Sequence, residues 1–417
     1  MFDWNWEIED KLVSDLNEWR KKFSLIHEFI VSPDGEKISA PVELEDKKVT
    51  VCINGKTWQD TFERVCFLRF LPDSRIVCLI LKNYEWTLSV EETVLEETFD
   101  YAWNLRFSDD GHTIAFNIKK GDLYGVCVNG KIWENLFFDA RDLFISPDGN
   151  RTACYVRTKN PPLLDIFSFK EGVWTAGIDG QAWDKNFLSV YGLTFNRASN
   201  KVAAAVRIEQ QEFTVSVDGN LWDERFSYVW EPIFINESDV MVPVKLSKGW
   251  TMALNGKPIW NKYFVQLWNQ RLSPDGKKVA AVAAPEFGRW SIVVDGIIWR
   301  QTFSQAVLPP VFSPDGAKVA ALLRENNKWT VAVDGKPWQE WFDRVWMPQF
   351  SPQGNHIAVK AEKEGKFFII LDGRAGKGIF DMLWDPVFSP DGEKILIKAV
   401  SNGKYIRKVC TAGEILG

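Results

Sequence analysis

The stretch from Trp338 to Gly373, WQEWFDRVWMPQFSPQGNHIAVKAEKEGKFFIILDG, reads as one complete structural unit. RVWMPQF alternates and runs into Ser351-Pro-Gln-Gly354, a turn composition. HIAVKAE is a β-branched run, followed by a polar turn. KFFIILDG is the third run, and its siblings WTVAVDG (329–335), WSIVVDG (290–296) and FTVSVDG (213–219) alternate apolar with small or polar residues. Asp-Gly then marks a tight hairpin, because both central residues of such a turn need positive φ. The W-x-x-x-F segment beyond it supplies a fourth strand. Four short strands in about 40 residues make one propeller blade.

The unit repeats in both directions. Ser-Pro-Asp-Gly recurs at Ser32, Ser146, Ser273, Ser313 and Ser389, with degraded copies at Leu71, Ser108, Asn196 and Ser351 and a nearly erased one near Ile235. The third turn residue falls at 34, 73, 110, 148, 198, 237, 275, 315, 353 and 391, so most gaps are 37 to 40 and one is 50. W-x-x-x-F runs in fixed phase with it, at Trp19, Trp58, Trp133, Trp183, Trp222, Trp260, Trp299 and Trp338; Phe99 and Phe380 keep the phenylalanine alone. The predicted fold is therefore all-β, a propeller of about ten four-stranded blades. Two five-bladed propellers are the alternative, disfavoured because no linker interrupts the spacing near the fifth and sixth copies.

The last copy, KYIRKVCTAGEIL, lacks W-x-x-x-F, whereas Trp19/Phe23 near the N-terminus has no unit of its own. The N-terminus is thus expected to supply the outer strand of the last blade and to close the ring, which removes exposed sheet edges. Residues 19–417 form the propeller on this reading and 1–18 an extension, in which Ile8, Leu12, Leu16 and Trp19 fit one helical face. The 50-residue gap comes from an insertion, Lys159–Gly172, between the second and third strands of one blade. Its Leu163, Leu164 and Phe167 are candidates to bind a neighbouring blade or a partner.

Composition excludes several classes. The formal charge is −6 with no basic run, which argues against nucleic acid. The first residues, MFDWNWEIEDK, carry neither a basic region nor an apolar stretch of the signal type, and no apolar run approaches a membrane span. A soluble, cytoplasmic chain is expected, peripheral at the inner face of a membrane only through partner subunits. The six cysteines form no C-x-x-C pair. Cys52, Cys127 and Cys410 read as small core residues in one shared repeat slot.

Chemistry is sparse. There are three histidines; His112 and His356 fall at the solvated turns, and His27 lacks the second histidine a zincin needs. No nucleophile elbow, phosphate loop or dinucleotide fingerprint occurs. Neither catalytic, metal nor cofactor residues are assigned, and a non-catalytic chain is expected.

The 21 tryptophans concentrate at three repeat positions. W-x-x-x-F and the opening of the third strand (Trp86, Trp174, Trp250, Trp290, Trp329) read as packing between blades. The third position lies five residues before the turn serine and holds His27, Cys66, Trp103, Arg141, Tyr191, Trp230, Trp268, Leu308, Trp346 and Trp384. It opens the innermost strand, near one rim of the central channel. These side chains either plug a wide channel or form an aromatic mouth that anchors a partner, since Trp and Arg are enriched in interface hot spots. Trp103, Arg141, Tyr191, Trp230, Trp268, Trp346 and Trp384 are therefore partner-binding candidates. A carbohydrate-binding or carbohydrate-processing propeller is the alternative, with Asp142, Glu231 and Asp385 beside the rim as its acids.

The unit PxFSPDGKKVAAxV…WxVxVDGKxW resembles the WD40-like repeats of TolB-type propellers over residues 19–417. With its tryptophan loading and no export signal, the chain is similar to the tryptophan-rich subunits of the Tmc transmembrane electron-transfer complexes of sulfate-reducing bacteria. That resemblance implies a cytoplasmic accessory subunit without a redox centre of its own. Its partners would be membrane-complex subunits carrying haems and iron–sulfur clusters.

Overall fold

In the computed structural model, residues 4–160 and 171–417 are described. They contain ten antiparallel sheets, one per repeat, which are the four-stranded blades of a β-propeller. Blades 1–10 begin at Leu25, Arg64, Tyr101, Asp139, Ser189, Tyr228, Gln266, Ala306, Arg344 and Met382. The chain falls into two compact units, one of Met1–Glu45, Val51–Thr57 and Lys262–Gly417, the other of Asp46–Thr50 and Trp58–Asn261. Blades 7–10 and most of blade 1 belong to the first, blades 2–6 to the second.

Local chemistry builds each blade. At the Ser-Pro-Asp-Gly turns the serine hydroxyl donates to the aspartate two residues on, 2.6 Å from Ser273 to Asp275. That carboxylate also accepts the Lys277 N–H, while the serine oxygen accepts the Lys278 N–H. Gly276 closes the turn at φ +72°. Across the blade, the Asn54 side chain accepts the Ile38 N–H at 2.9 Å and stands beside Gly55 at φ +88°. Blade 2 has Glu91 at that position, and its carboxylate accepts the Ile76 N–H at 3.0 Å. The fourth strand is a two-residue ladder plus one bridge from the W-x-x-x-F phenylalanine, such as Phe137 with Tyr124.

Within a unit, the W-x-x-x-F tryptophan fills the seam to the next blade, as Trp133 and Trp338 do. Trp133, on blade 3, lies in one buried cluster with Ala140, Cys154 and Val156 of blade 4, and its indole donates to Thr152 at 3.0 Å. Burying an indole in this way removes a large apolar area from water.

The N-terminus completes the last blade, but not by the segment expected. Strand β1 (Glu9–Asp15) pairs with the third strand of blade 10, Lys404–Thr411, from Glu9↔Val409 to Asp15↔Lys404. The residues set aside as an extension thus hold the closing strand. Ile8 and Leu12 share no buried helical face; both are 54% exposed. An unpaired third strand offers a ladder of N–H and C=O groups that an isolated helical turn cannot match. Helix α1 (Leu16–Lys22) starts only afterwards, where the Asp15 carboxylate caps the Asn17 N–H. Trp19 still fills its repeat role from the helix: it is buried among Leu16, Phe23, Ile38 and Cys52 and lies against Gly55.

Cys410 is displaced from the slot predicted for it. Tyr405 is the third-strand aromatic of blade 10, so Lys408 stands where Cys127 stands in blade 3. Cys410 lies two residues further on, because the strand runs straight to Thr411 without a hairpin. Helix α2 (Ala412–Leu416) follows, with a capping box between Thr411 and Glu414.

Candidate functional site

The rim residues share one local device. In blades 2, 3, 4, 5 and 7 the first strand shifts register just after the rim residue. The residue that follows is left-handed: Phe67, Asn104, Asp142, Gly192 and Asn269 have φ between +53° and +64°. Asn, Asp and Gly tolerate that region best. In blades 6, 8, 9 and 10 proline stands two residues after the rim position, at Pro232, Pro310, Pro348 and Pro386. Proline steers its predecessor to extended backbone, and there the first strand breaks into two short segments. The rim N–H then bonds the second strand, as from Trp346 to Lys360 O at 2.9 Å.

In six blades the rim side chain meets the aromatic that opens the third strand. In the second unit, Trp103 packs edge-on to Tyr124 at 6.1 Å, Arg141 lies 4.6 Å over Trp174, and Trp230 stacks on Trp250 at 5.7 Å and 19°. In the first unit, Trp268 meets Trp290 at 4.9 Å, Trp346 meets Phe367 at 5.8 Å and Trp384 meets Tyr405 at 5.7 Å. The six aromatic candidates are all half-buried, and Arg141 is exposed. Leu163, Leu164 and Phe167 lie outside the described residues.

Two aromatic runs in the second unit extend across blade boundaries. One is Trp86–Tyr101–Trp103–Tyr124, with centroid steps of 5.5, 5.6 and 6.1 Å, in which Tyr101 is 50% exposed. The other joins Tyr191, Phe213, Tyr228, Trp230 and Trp250. In the second run Tyr191 donates its hydroxyl to Val229 O at 2.7 Å, and burial holds its phenol far above the ordinary value. The Trp230 indole N–H is buried with no acceptor.

The first unit carries charge beneath the rim. Lys360 sits 4.3 Å over the Trp346 ring and 3.4 Å from Asp385. Lys398, at the matching position of blade 10, is buried; desolvation lowers its ammonium to about 8, opposed by Asp385 and Asp34. Of the acids proposed for a carbohydrate site, Asp385 is thus ion-paired. Asp142 turns left-handed, its carbonyl accepting from the Cys154 thiol at 2.8 Å. Glu231 packs against Gly192, where a Cβ would meet it at 2.6 Å. The signal missed in the sequence was the pairing of rim and third-strand aromatics, which the shared repeat phase would have given.

Burial raises the thiols of Cys52 and Cys127 to about 12, so neither is a ready nucleophile. Among the described residues no cluster of three His, Cys, Asp or Glu side chains could hold a metal ion. No described helix is long and apolar enough to cross a membrane.

No protein-family model matches the chain. No curated protein matches it either. Among solved structures it is similar to one described as a crystal structure of the eukaryotic initiation factor. The two share 12% identity over 82% of this chain and 94% of that one, with a TM-score of 0.50. It also aligns with the structure of the Dos1 propeller, at 12% identity over 82% of this chain and 91% of that one, with a TM-score of 0.40. The likeness to the first is one of fold alone.

Proposed function

We propose that this chain is a non-catalytic scaffold that holds another protein on the aromatic end of its blades. The observation that carries the proposal is the run Trp86–Tyr101–Trp103–Tyr124. It is continuous between blades and leaves Tyr101 half exposed in the second unit, which also presents the Arg141–Trp174 stack. Large aromatics locked by stacking lose little entropy on binding, which suits them as anchors. Following the sequence resemblance, the partner is a haem- or iron–sulfur-bearing subunit of a membrane electron-transfer complex, with this chain in the place of the tryptophan-rich subunit TmcD.

Affinity capture of the tagged protein from its native host in mild detergent, with a visible spectrum of the eluate, tests the assignment. Co-eluting membrane subunits with haem bands support it. A lone colourless protein contradicts it, and saturable tryptophan quenching by a glycan would move the site to sugar binding.

A further inference from the structure

The seam between blades 9 and 10 lacks its tryptophan. Counting four residues back from Phe380 places Gly376 where eight other W-x-x-x-F segments have an indole and where the segment ending at Phe99 has Leu95. The backbone there is unchanged: Gly376 N–H donates to Ile369 O at 2.8 Å, as Trp133 N–H does to Val126 O at 2.9 Å. Gly376 is not among the positive-φ glycines, so the backbone does not demand it. In blade 2 the Leu95 side chain occupies the seam, reaching to 2.9 Å from a Cβ built on Gly130. At Gly376 a cavity of about 360 Å³ remains, within the range that admits a small ligand.

Its walls correspond to those that hold Trp133. Ile369, Phe380 and Ile397 take the places of Val126, Phe137 and Cys154, all three of which pack in the Trp133 cluster. Helix α2 fills part of the place the indole would take: the Ile415 side chain comes within 2.7 Å of a Cβ at Gly376 and packs in one buried cluster with Ile369, Phe380 and Ile397, so the cavity is what remains beside it, and the Ile415 carbonyl accepts the Lys377 N–H at 3.0 Å. Ile379, 58% exposed, stands at the mouth with Lys408, which pairs with Asp10 at 3.1 Å. The result is an apolar slot with a charged lip.

We infer that the slot between Gly376 and helix α2 is a binding site for a tryptophan side chain presented by a partner polypeptide. The occupant follows from the chain itself, in which the matching seams take an indole carried on backbone. The site is separate from the aromatic rim and does not rest on the scaffold reading.

The test is ¹⁹F NMR of acetyl-Gly-(5-fluoro-Trp)-Gly-amide titrated with the full chain, with free 5-fluoroindole as a second arm. Wild type should broaden the peptide signal saturably. Ile379→Glu, an exposed change at the mouth, should weaken that binding at least tenfold, as should Gly376→Trp if it folds by circular dichroism. Ile415→Ala, which enlarges the slot, should tighten it. Absence of saturable peptide binding, or equal affinity in wild type, Ile379→Glu and Ile415→Ala, overturns the inference. Saturable binding of 5-fluoroindole without the peptide overturns the assignment to a partner side chain.

Discussion

Tryptophan performs two jobs in this chain, and they differ in what a mutation would show. Trp133 is buried, hydrogen-bonded to Thr152 and packed into the next blade. Trp133→Ala should cost about 3–5 kcal/mol through lost burial and a cavity. Tyr84, 88% exposed at a hairpin, should change stability by less than about 0.5 kcal/mol when replaced by alanine. Thermal melts of the two variants check the contrast. The rim tryptophans fall between these extremes: half-buried and stacked, they would lose packing as well as contacts on truncation. The exposed Tyr101 and Arg141 are cleaner probes of binding.

Lys398 gives a pH signature at the same scale. Its folded ammonium is lowered to about 8 from 10.5 by burial, so between those values the unfolded chain binds more protons. That residue's contribution to stability should therefore rise with pH across the window. Urea unfolding of wild type and Lys398→Met at pH 7.5 and 9.5 should show wild type gaining relative to the variant. The turn aspartates have the opposite origin. Asp275, Asp315 and Asp391 are held below the usual carboxylate range, first by their serine hydroxyls and then by backbone N–H groups. Their contribution is present above the unfolded value and lost as pH falls through the lowered one. Asp391→Ala should accordingly flatten the acid limb of the stability curve, measured by urea midpoints from pH 6 to 2.5.

At the scale of elements, strand β1 carries a load its sequence does not announce. It is the outer strand of blade 10 and leaves the ladder from Lys404 to Val409 paired along both edges. Arg407, fully buried, links it to the first turn: the guanidinium bonds Asp34 O at 2.8 Å, Glu9 at 3.1 Å and Glu36 at 3.0 Å. Deleting residues 1–15 should expose that ladder and strand the Arg407 charge without Glu9. The expected result is a lower melting temperature and concentration-dependent association by light scattering. An unchanged melt and a monodisperse sample would show that β1 is dispensable.

The same scale explains what could be read in advance. Turns and hairpins were legible because Ser, Asp, Asn and Gly act on neighbours within a few residues, as Ser273 and Asp275 do. β1 was not, because EDKLVSD has too few apolar residues to separate a strand from a helix, and its partner lies almost 400 residues away. The repeat phase sets the rim positions along the chain, but not the direction in which their side chains point. Which way Trp103 points depends on left-handed Asn104 after it and on Tyr124 two strands away, neither of which has meaning until the repeat is folded.

For the whole molecule, repetition makes a scaffold whose blades differ mainly at their ends and seams. Five of the ten turns keep Ser-Pro-Asp-Gly and the others are degraded versions of it, whereas the rim holds Trp, Tyr, Arg, His, Cys and Leu. A position that takes six residue types, most of them large, is the pattern expected of a surface that recognises something, laid over a frame that folds. The most direct test is to run the detergent affinity capture in parallel on wild type and on Tyr101→Glu/Arg141→Glu, both folded by circular dichroism. The account predicts that wild type retains a defined partner and the double variant loses it. The same partner retained equally by both, or none retained by either, would contradict it.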